Sequence, residues 1–161
     1  MPDTVDRTGE EAIHEFDRIP VRTLTRDDLD AIVRIDRRIV GASRRDYLEL
    51  KLDVALRDTR IVVSLGAEVD GHLTGFLMGR LYYGEFGVAD PVAILDTIGV
   101  DPERPRSGLG HALLHQFRTN LRAVGIERIQ THAAWNQWDL LHFLDTCGFK
   151  PAARVFLEAD V

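Results

Sequence analysis

The spacing of apolar residues changes along the chain, and each change marks an element. A short stretch at 19–24, IPVRTL, suits a strand. From Thr25 the spacing lengthens: Leu29, Ile32, Val33 and then Ile39 or Val40 fall near one face of a helix. Thr25 is its N-cap, and Asp27 and Asp28 stand in the first turn, where the helix dipole favours carboxylates. Gly41 ends it. Ser43 caps a second helix, with Tyr47, Leu48, Leu52 and Ala55 or Leu56 on its buried side. The period then shortens over 60–83, in two runs joined at Asp70-Gly71, a dipeptide that tolerates the positive φ of a tight hairpin turn. A glycine-rich loop, GEFGVADP, follows, and Val92 to Val100 reads as another strand. Helical spacing returns with Leu109, Leu113, Gln116 or Phe117, and Leu121, and Gly125 stands where a stop belongs. ERIQTHAA (127–134) reads as a strand, WDLLHFLDTC (138–147) as a helix stopped at Gly148, and ARVFLEADV (153–161) as a closing strand.

The order is therefore β-α-α-β-β-β-α-β-α-β, an α/β fold. The strand–helix–strand unit from Val92 onward requires parallel neighbours, and the hairpin before it is antiparallel, so the central sheet is mixed. With 161 residues, 45% of them hydrophobic, one packed domain is expected over 18–161, behind a loose tail at 1–17. Against 20 Lys and Arg stand 26 Asp and Glu, a net charge of −6, which argues against a nucleic-acid partner or an anionic membrane surface. Cys147 is the single cysteine, so an internal disulfide and a thiolate metal cluster are excluded. The charged N-terminus lacks the apolar core of a signal peptide, and no apolar run approaches the roughly 20 residues of a membrane span, so a cytoplasmic protein is expected.

One stretch stands out, DPERPRSGLGHALL, from Asp101 to Leu114. A helix start offers backbone N–H groups and the positive end of the macrodipole, which together hold anions. Gly108 and Gly110 let a pyrophosphate approach the backbone, Ser107 adds a hydroxyl, and Arg104 and Arg106 add charge-assisted bonds. An ordinary capped turn has the same composition. A Walker-type loop is excluded because no lysine follows the glycines, and the dinucleotide fingerprint fails at Leu113.

With its preceding strand, IGVDPERPRSGLGHALL resembles the coenzyme-A motif of the GNAT superfamily of N-acetyltransferases, in which a strand ending in valine leads through Gln/Arg-x-x-Gly-x-Gly/Ala into a helix. Val100, Pro102, Gly108 and Gly110 match in register. VRTLTRDDLDAI is similar to the family's first strand and helix, and HFLDTCGFKP to its ending. The resemblance covers roughly residues 20–161. It implies acetyl-CoA as cosubstrate and a primary amine as acceptor; direct transfer between them is expected because the sequence offers no well-supported nucleophile. The pyrophosphate would lie on Arg104 and on the turn of Arg106, Ser107, Gly108, Leu109, Gly110 and His111. The pantetheine would run along Ile98, Gly99 and Val100, and the neighbourhood of Asn136, bracketed by Trp135 and Trp138, would border the thioester. Two positions depart from the pattern. Pro105 stands at the usual Gln/Arg, with Arg106 at the following glycine, and Leu144 stands where many members carry a general-acid tyrosine.

Asp96 is the candidate catalytic acid–base. It interrupts an apolar strand, and alternation would put it on the face of Ile98 and Val100. It would take up the amine's proton through a water or orient a cationic substrate; a salt bridge to an arginine such as Arg80 is the structural alternative. Tyr82, Tyr83 and His132 are weaker pocket candidates. His111 and His115 share a helix face, but no further ligand at a matching spacing makes them a metal site. Cys147 reads as a small buried hydrophobe. The rival function is a non-catalytic acyl-CoA-binding or regulatory module on the same fold, which Leu144 favours and Asp96 opposes. A homodimer through the closing strand is compatible with the sequence.

Overall fold

The computed structural model describes residues 18–57, 61, 63–83, 90–104 and 108–161. The expected N-terminal tail at 1–17 lies outside them. The chain divides into two compact units, Met1–Thr131 and His132–Val161.

In the first unit, β1 (Val21–Thr23) leads through a single 3-10 turn, Arg26–Asp28, into α1 (Leu29–Val40). The N–H of Thr25 donates to Asp28 at 2.7 Å, closing the helix start that the acidic first turn announced. Gly41 ends α1 with φ 83°, and α2 spans Arg45–Arg57. Then come β2 (Ser64–Val69), β3 (His72–Tyr82), β4 (Val92–Val100), α3 (Leu109–Ala123) and β5 (Ile129–Gln130). Asp70 and Gly71 both take positive φ, 53° and 74°, at the tip of the β2–β3 hairpin. The sheet runs β1-β2-β3-β4-β5, antiparallel through β4 and parallel between β4 and β5.

Helices cover both faces. On one, Ile32 and Ile35 of α1 and Leu48 and Leu52 of α2 are buried with Phe76 and Met78 of β3. On the other, α3 packs so closely that a Cβ on Gly75 or Gly79 would come within 3.2 Å of Leu113 or 2.9 Å of Phe117. Several expected positions shift. Ile35 is buried where Ile39 and Val40 were expected, and both of those are exposed. Asp36 also lies on the buried face, neutralised by the Arg44 guanidinium through two hydrogen bonds. Tyr47 is exposed rather than buried, and the cationic ends of Arg44 and Lys51 lie 5.0 Å and 5.7 Å from its ring.

The β4 strand carries a bulge. Met78 pairs with Thr97 and Gly79 with Leu95, so Asp96 is the additional residue on β4. The bulge bends β4, and its pairing with β5 is confined to Ala93↔Ile129 and Ile94↔Gln130. The strand expected over 127–134 is accordingly two residues long, and Thr131 continues it only by donating its hydroxyl to the Leu95 carbonyl at 2.9 Å.

The second unit contains α4 (Trp138–Thr146), ended by Gly148 at φ 82°, whose N–H donates to the Asp145 carbonyl at 2.9 Å. The expected closing strand does not form. Val155, Phe156 and Leu157 are exposed, and 153–161 joins no ladder among the described residues. Alternating apolar residues suit a strand, but a strand exists only where its backbone groups find a partner. No helix among the described residues is long and apolar enough to cross a membrane.

Candidate functional site

The bulge creates an open strand edge. The Asp101 N–H donates to the Thr74 carbonyl at 2.8 Å, and the register continues without a break through Gly75↔Val100, Phe76↔Gly99, Leu77↔Ile98 and Met78↔Thr97. In a strand, residues two apart aim their N–H groups the same way. Gly99 and Thr97 therefore bond to β3, while the N–H groups of Ile98 and Val100 face the other edge. Among the described residues no strand pairs with β4 along that edge beyond Ile94. Gly99 itself is fixed by packing. A Cβ there would come within 2.7 Å of Phe76 Cε1 and 2.8 Å of Cζ.

Beyond β4 the chain turns toward α3, and the start of that turn is pinned by a buried carboxylate. Asp101 accepts from Arg38 Nη1 at 2.8 Å and from the Glu103 N–H at 3.2 Å, while its carbonyl accepts the Arg104 N–H at 2.9 Å. Arg104 is exposed and lies 3.7 Å from the exposed Asp70, a weak surface pair. Pro105, Arg106 and Ser107 lie outside the described residues. Gly108 caps α3 in the left-handed region, φ 73°, which only glycine adopts at little cost. The first intrahelical bond of α3 joins the Ala112 N–H to the Gly108 carbonyl, so Leu109 and Gly110 belong to the donor-rich first turn. Leu109 is buried, whereas Gly110 and His111 are half-buried.

Asp96 stands at the bulge, two residues before Ile98. Its carboxylate is nearly buried, with Lys51 Nζ of α2 3.4 Å from one oxygen and Arg80 Nε of β3 3.4 Å from the other. Strict alternation put Asp96 on the face of Ile98 and Val100; the bulge reverses this. Asp96 faces α2, while Val100, paired with Gly75 beneath Leu113, faces α3. Arg80 also lies 5.9 Å from the Tyr82 ring, and Tyr83 is exposed.

Of the expected site residues, Asp96, Ile98, Gly99 and Val100 lie on β4, Arg104 on the turn after it, Gly108 at the N-cap of α3, and Leu109, Gly110 and His111 in its first turn, all in the first unit. Asn136 belongs to the second unit, in an exposed turn whose flanking rings, Trp135 and Trp138, meet edge to face at 6.4 Å. His132 is exposed, its ring 5.8 Å from Phe156, and Leu144 is buried. Among the described residues no group of His, Cys, Asp or Glu side chains could hold a metal ion. Sequence reasoning missed Lys51 and Asp101. Lys51 carried no signal beyond its place one helical turn after Tyr47; Asp101 was visible only as the first residue of the turn.

The acetyltransferase (GNAT) family model matches residues 26–149. The chain belongs to this family. No curated protein matches the sequence. Among solved structures, the chain is similar to the aminoglycoside N-acetyltransferase AAC(6')-Iy in complex with CoA, at 16% identity and TM-score 0.73, over 89% of this chain and 95% of that one. Aminoglycoside 6'-N-acetyltransferase AAC(6')-Ig from Acinetobacter haemolyticus gives 17% identity and TM-score 0.73, over 88% and 98%. A transcriptional regulator from Bacillus halodurans gives 18% and 0.70, over 89% and 100%. At these identities the likeness is one of fold, and the mixed sheet with helices on both faces is the acetyltransferase fold.

Proposed function

We propose that this chain transfers an acetyl group from acetyl-CoA directly to a primary amine. The observation that carries the reading is the open edge of β4, where two N–H groups, on Ile98 and Val100, face away from β3 just beyond a bulge. Family membership agrees with it, and two of the similar structures are acetyltransferases, one of them solved with CoA. The residues present fit the cosubstrate: a strand edge with spare donors leads, through a turn pinned by Asp101, to the first turn of α3. Ile98 and Val100 receive the pantetheine amides and polarise the acyl carbonyl, while Gly108, Leu109, Gly110 and His111, with Arg104, Arg106 and Ser107, receive the pyrophosphate.

Acetyl-CoA supplies an acyl group already activated as a thioester, so the chain has only to orient the amine and manage protons. One N–C bond forms and one C–S bond breaks; the amine gives up a proton and the departing sulfur gains one. Asp96 receives the amine's proton through a water. With Leu144 at the usual tyrosine position, the sulfur takes its proton from water.

Thermal unfolding with acetyl-CoA, CoA and ATP, paired with a thiol-release assay over an amine panel, tests the proposal. At 100 times its dissociation constant a ligand adds about 2.7 kcal/mol, so a shift with the CoA ligands alone is expected. Thiol release should follow, and Asp96→Asn should slow it at least tenfold. Absence of any shift with CoA ligands overturns the proposal. Affinity without turnover supports the rival reading of an acyl-CoA-binding module, which Leu144 favours.

A further inference from the structure

We infer that the acceptor carries an anionic group, a carboxylate above all, beside the amine that is acetylated, and that Lys51 and Arg80 bind it. The inference rests on the proposed acetyl transfer and names its substrate class. Its basis is the charge around Asp96. Two cations from different elements, Lys51 on α2 and Arg80 on β3, share one carboxylate, each at 3.4 Å. Among the described residues neither has a second carboxylate partner, so the trio holds a net charge of +1 beside the bulge. Arg44, just before α2, is already matched by Asp36, and Arg45, in its first turn, by Asp30, so neither changes that balance.

The geometry leaves both cations with donors to spare. Arg80 approaches Asp96 through Nε, which leaves its two terminal amino groups for a carboxylate in the paired-bond arrangement that guanidinium prefers. Lys51 has three N–H bonds, and its side chain is about a quarter exposed, at 28%. The Tyr47 ring flanks Lys51 at 5.7 Å, and the Tyr82 ring flanks Arg80 at 5.9 Å, so both cations stand against aromatic walls. Asp96 itself, 11% exposed, lies between them at the bulge, two residues before Ile98 on the same strand. A zwitterionic acceptor fits this arrangement: its amine goes to Asp96 and its carboxylate to the cations. A polycation does not, because two like charges would meet it at the only acid of the cluster.

The test uses matched acceptor pairs, each an amino acid and its carboxamide, assayed by thiol release at saturating acetyl-CoA. We expect kcat/KM at least tenfold higher for the carboxylate member. In Arg80→Gln that ratio falls toward one, and Arg80→Lys restores part of it, which a merely structural role for Arg80 would not do. Turnover that prefers the carboxamide or a polyamine, or a ratio unchanged in Arg80→Gln, overturns the anionic-acceptor inference and leaves acetyl transfer standing. A rise in the KM of acetyl-CoA rather than of the acceptor in Arg80→Gln also overturns it, by assigning the cations to a phosphate of the cosubstrate. Absence of thiol release with every acceptor, in a chain that binds CoA, overturns the transferase reading and this inference with it.

Discussion

Gly99 is the position where a single methyl group tests the packing beneath the open edge. Its backbone is not left-handed, so alanine can adopt it, and by unfolded-state entropy alone Gly99→Ala would stabilise the chain by about 0.4–1 kcal/mol. The new Cβ, however, would meet Phe76 Cε1 at 2.7 Å, Phe76 Cζ at 2.8 Å and Ile39 Cδ1 at 3.3 Å. The Phe76 ring is 1% exposed and cannot swing aside. Overpacking of this kind costs about 1–3 kcal/mol, which leaves a net loss of up to about 2.6 kcal/mol. For a chain of this size that is a fall in Tm of up to roughly 10 °C. Urea unfolding of Gly99→Ala, Phe76→Leu and the double variant decides the cause. Leucine has no atoms at Cε1 or Cζ, so the double variant should be more stable than the sum of the singles predicts, by about 1 kcal/mol or more. A stabilised Gly99→Ala, or strictly additive losses, would refute the packing argument.

Three further outcomes are expected. The Arg22 guanidinium, hydrogen-bonded to both Asp28 oxygens, holds that carboxyl below its ordinary value of 3.8. The stability this provides is fully present above that value and is lost as pH falls below it through the lower folded value, so Asp28→Asn should flatten the fall in the urea midpoint between pH 5 and pH 3; equal slopes would contradict it. Asp101→Ala should cost roughly 1–3 kcal/mol, by leaving the Glu103 N–H without its acceptor and Arg38 with only the exposed Glu103 carboxylate among the described residues, and should weaken CoA binding several-fold in calorimetry. Asp36→Asn should lower Tm measurably, because Asp36 is 3% exposed and, among the described residues, matched only by Arg44, and Arg44→Ala should lower it through the same pair.

Much of the fold was legible because its signals are local. Glycines at 41, 125 and 148 mark helix ends by their positive φ, and Asp70-Gly71 marks the hairpin. The start of α3 was legible through Gly108 and the helical spacing that follows it. The parts that were not legible depend on partners distant in sequence. Nothing in VAILDTIGV announces that Asp96 is an inserted residue, because a bulge is a property of the pairing with β3. That one residue reverses the face assigned to Asp96 and shortens the pairing with β5. For the same reason the apolar alternation at 153–161 suggested a strand that finds no neighbour among the described residues. Lys51 was invisible because an exposed-looking lysine on a helix reveals its partner only once the helix has docked.

The alternation along β4 also makes the strand its own reporter. Residues 97 and 99 give their amide protons to β3, and residues 98 and 100 point theirs to the edge away from it, where no described strand pairs. Deuterium should therefore enter at every second position of one continuous strand, fast at Ile98 and Val100 and slowly at Thr97 and Gly99. A spectrum of this chain would carry, inside four consecutive residues, both the signal and its internal reference for occupancy of that edge.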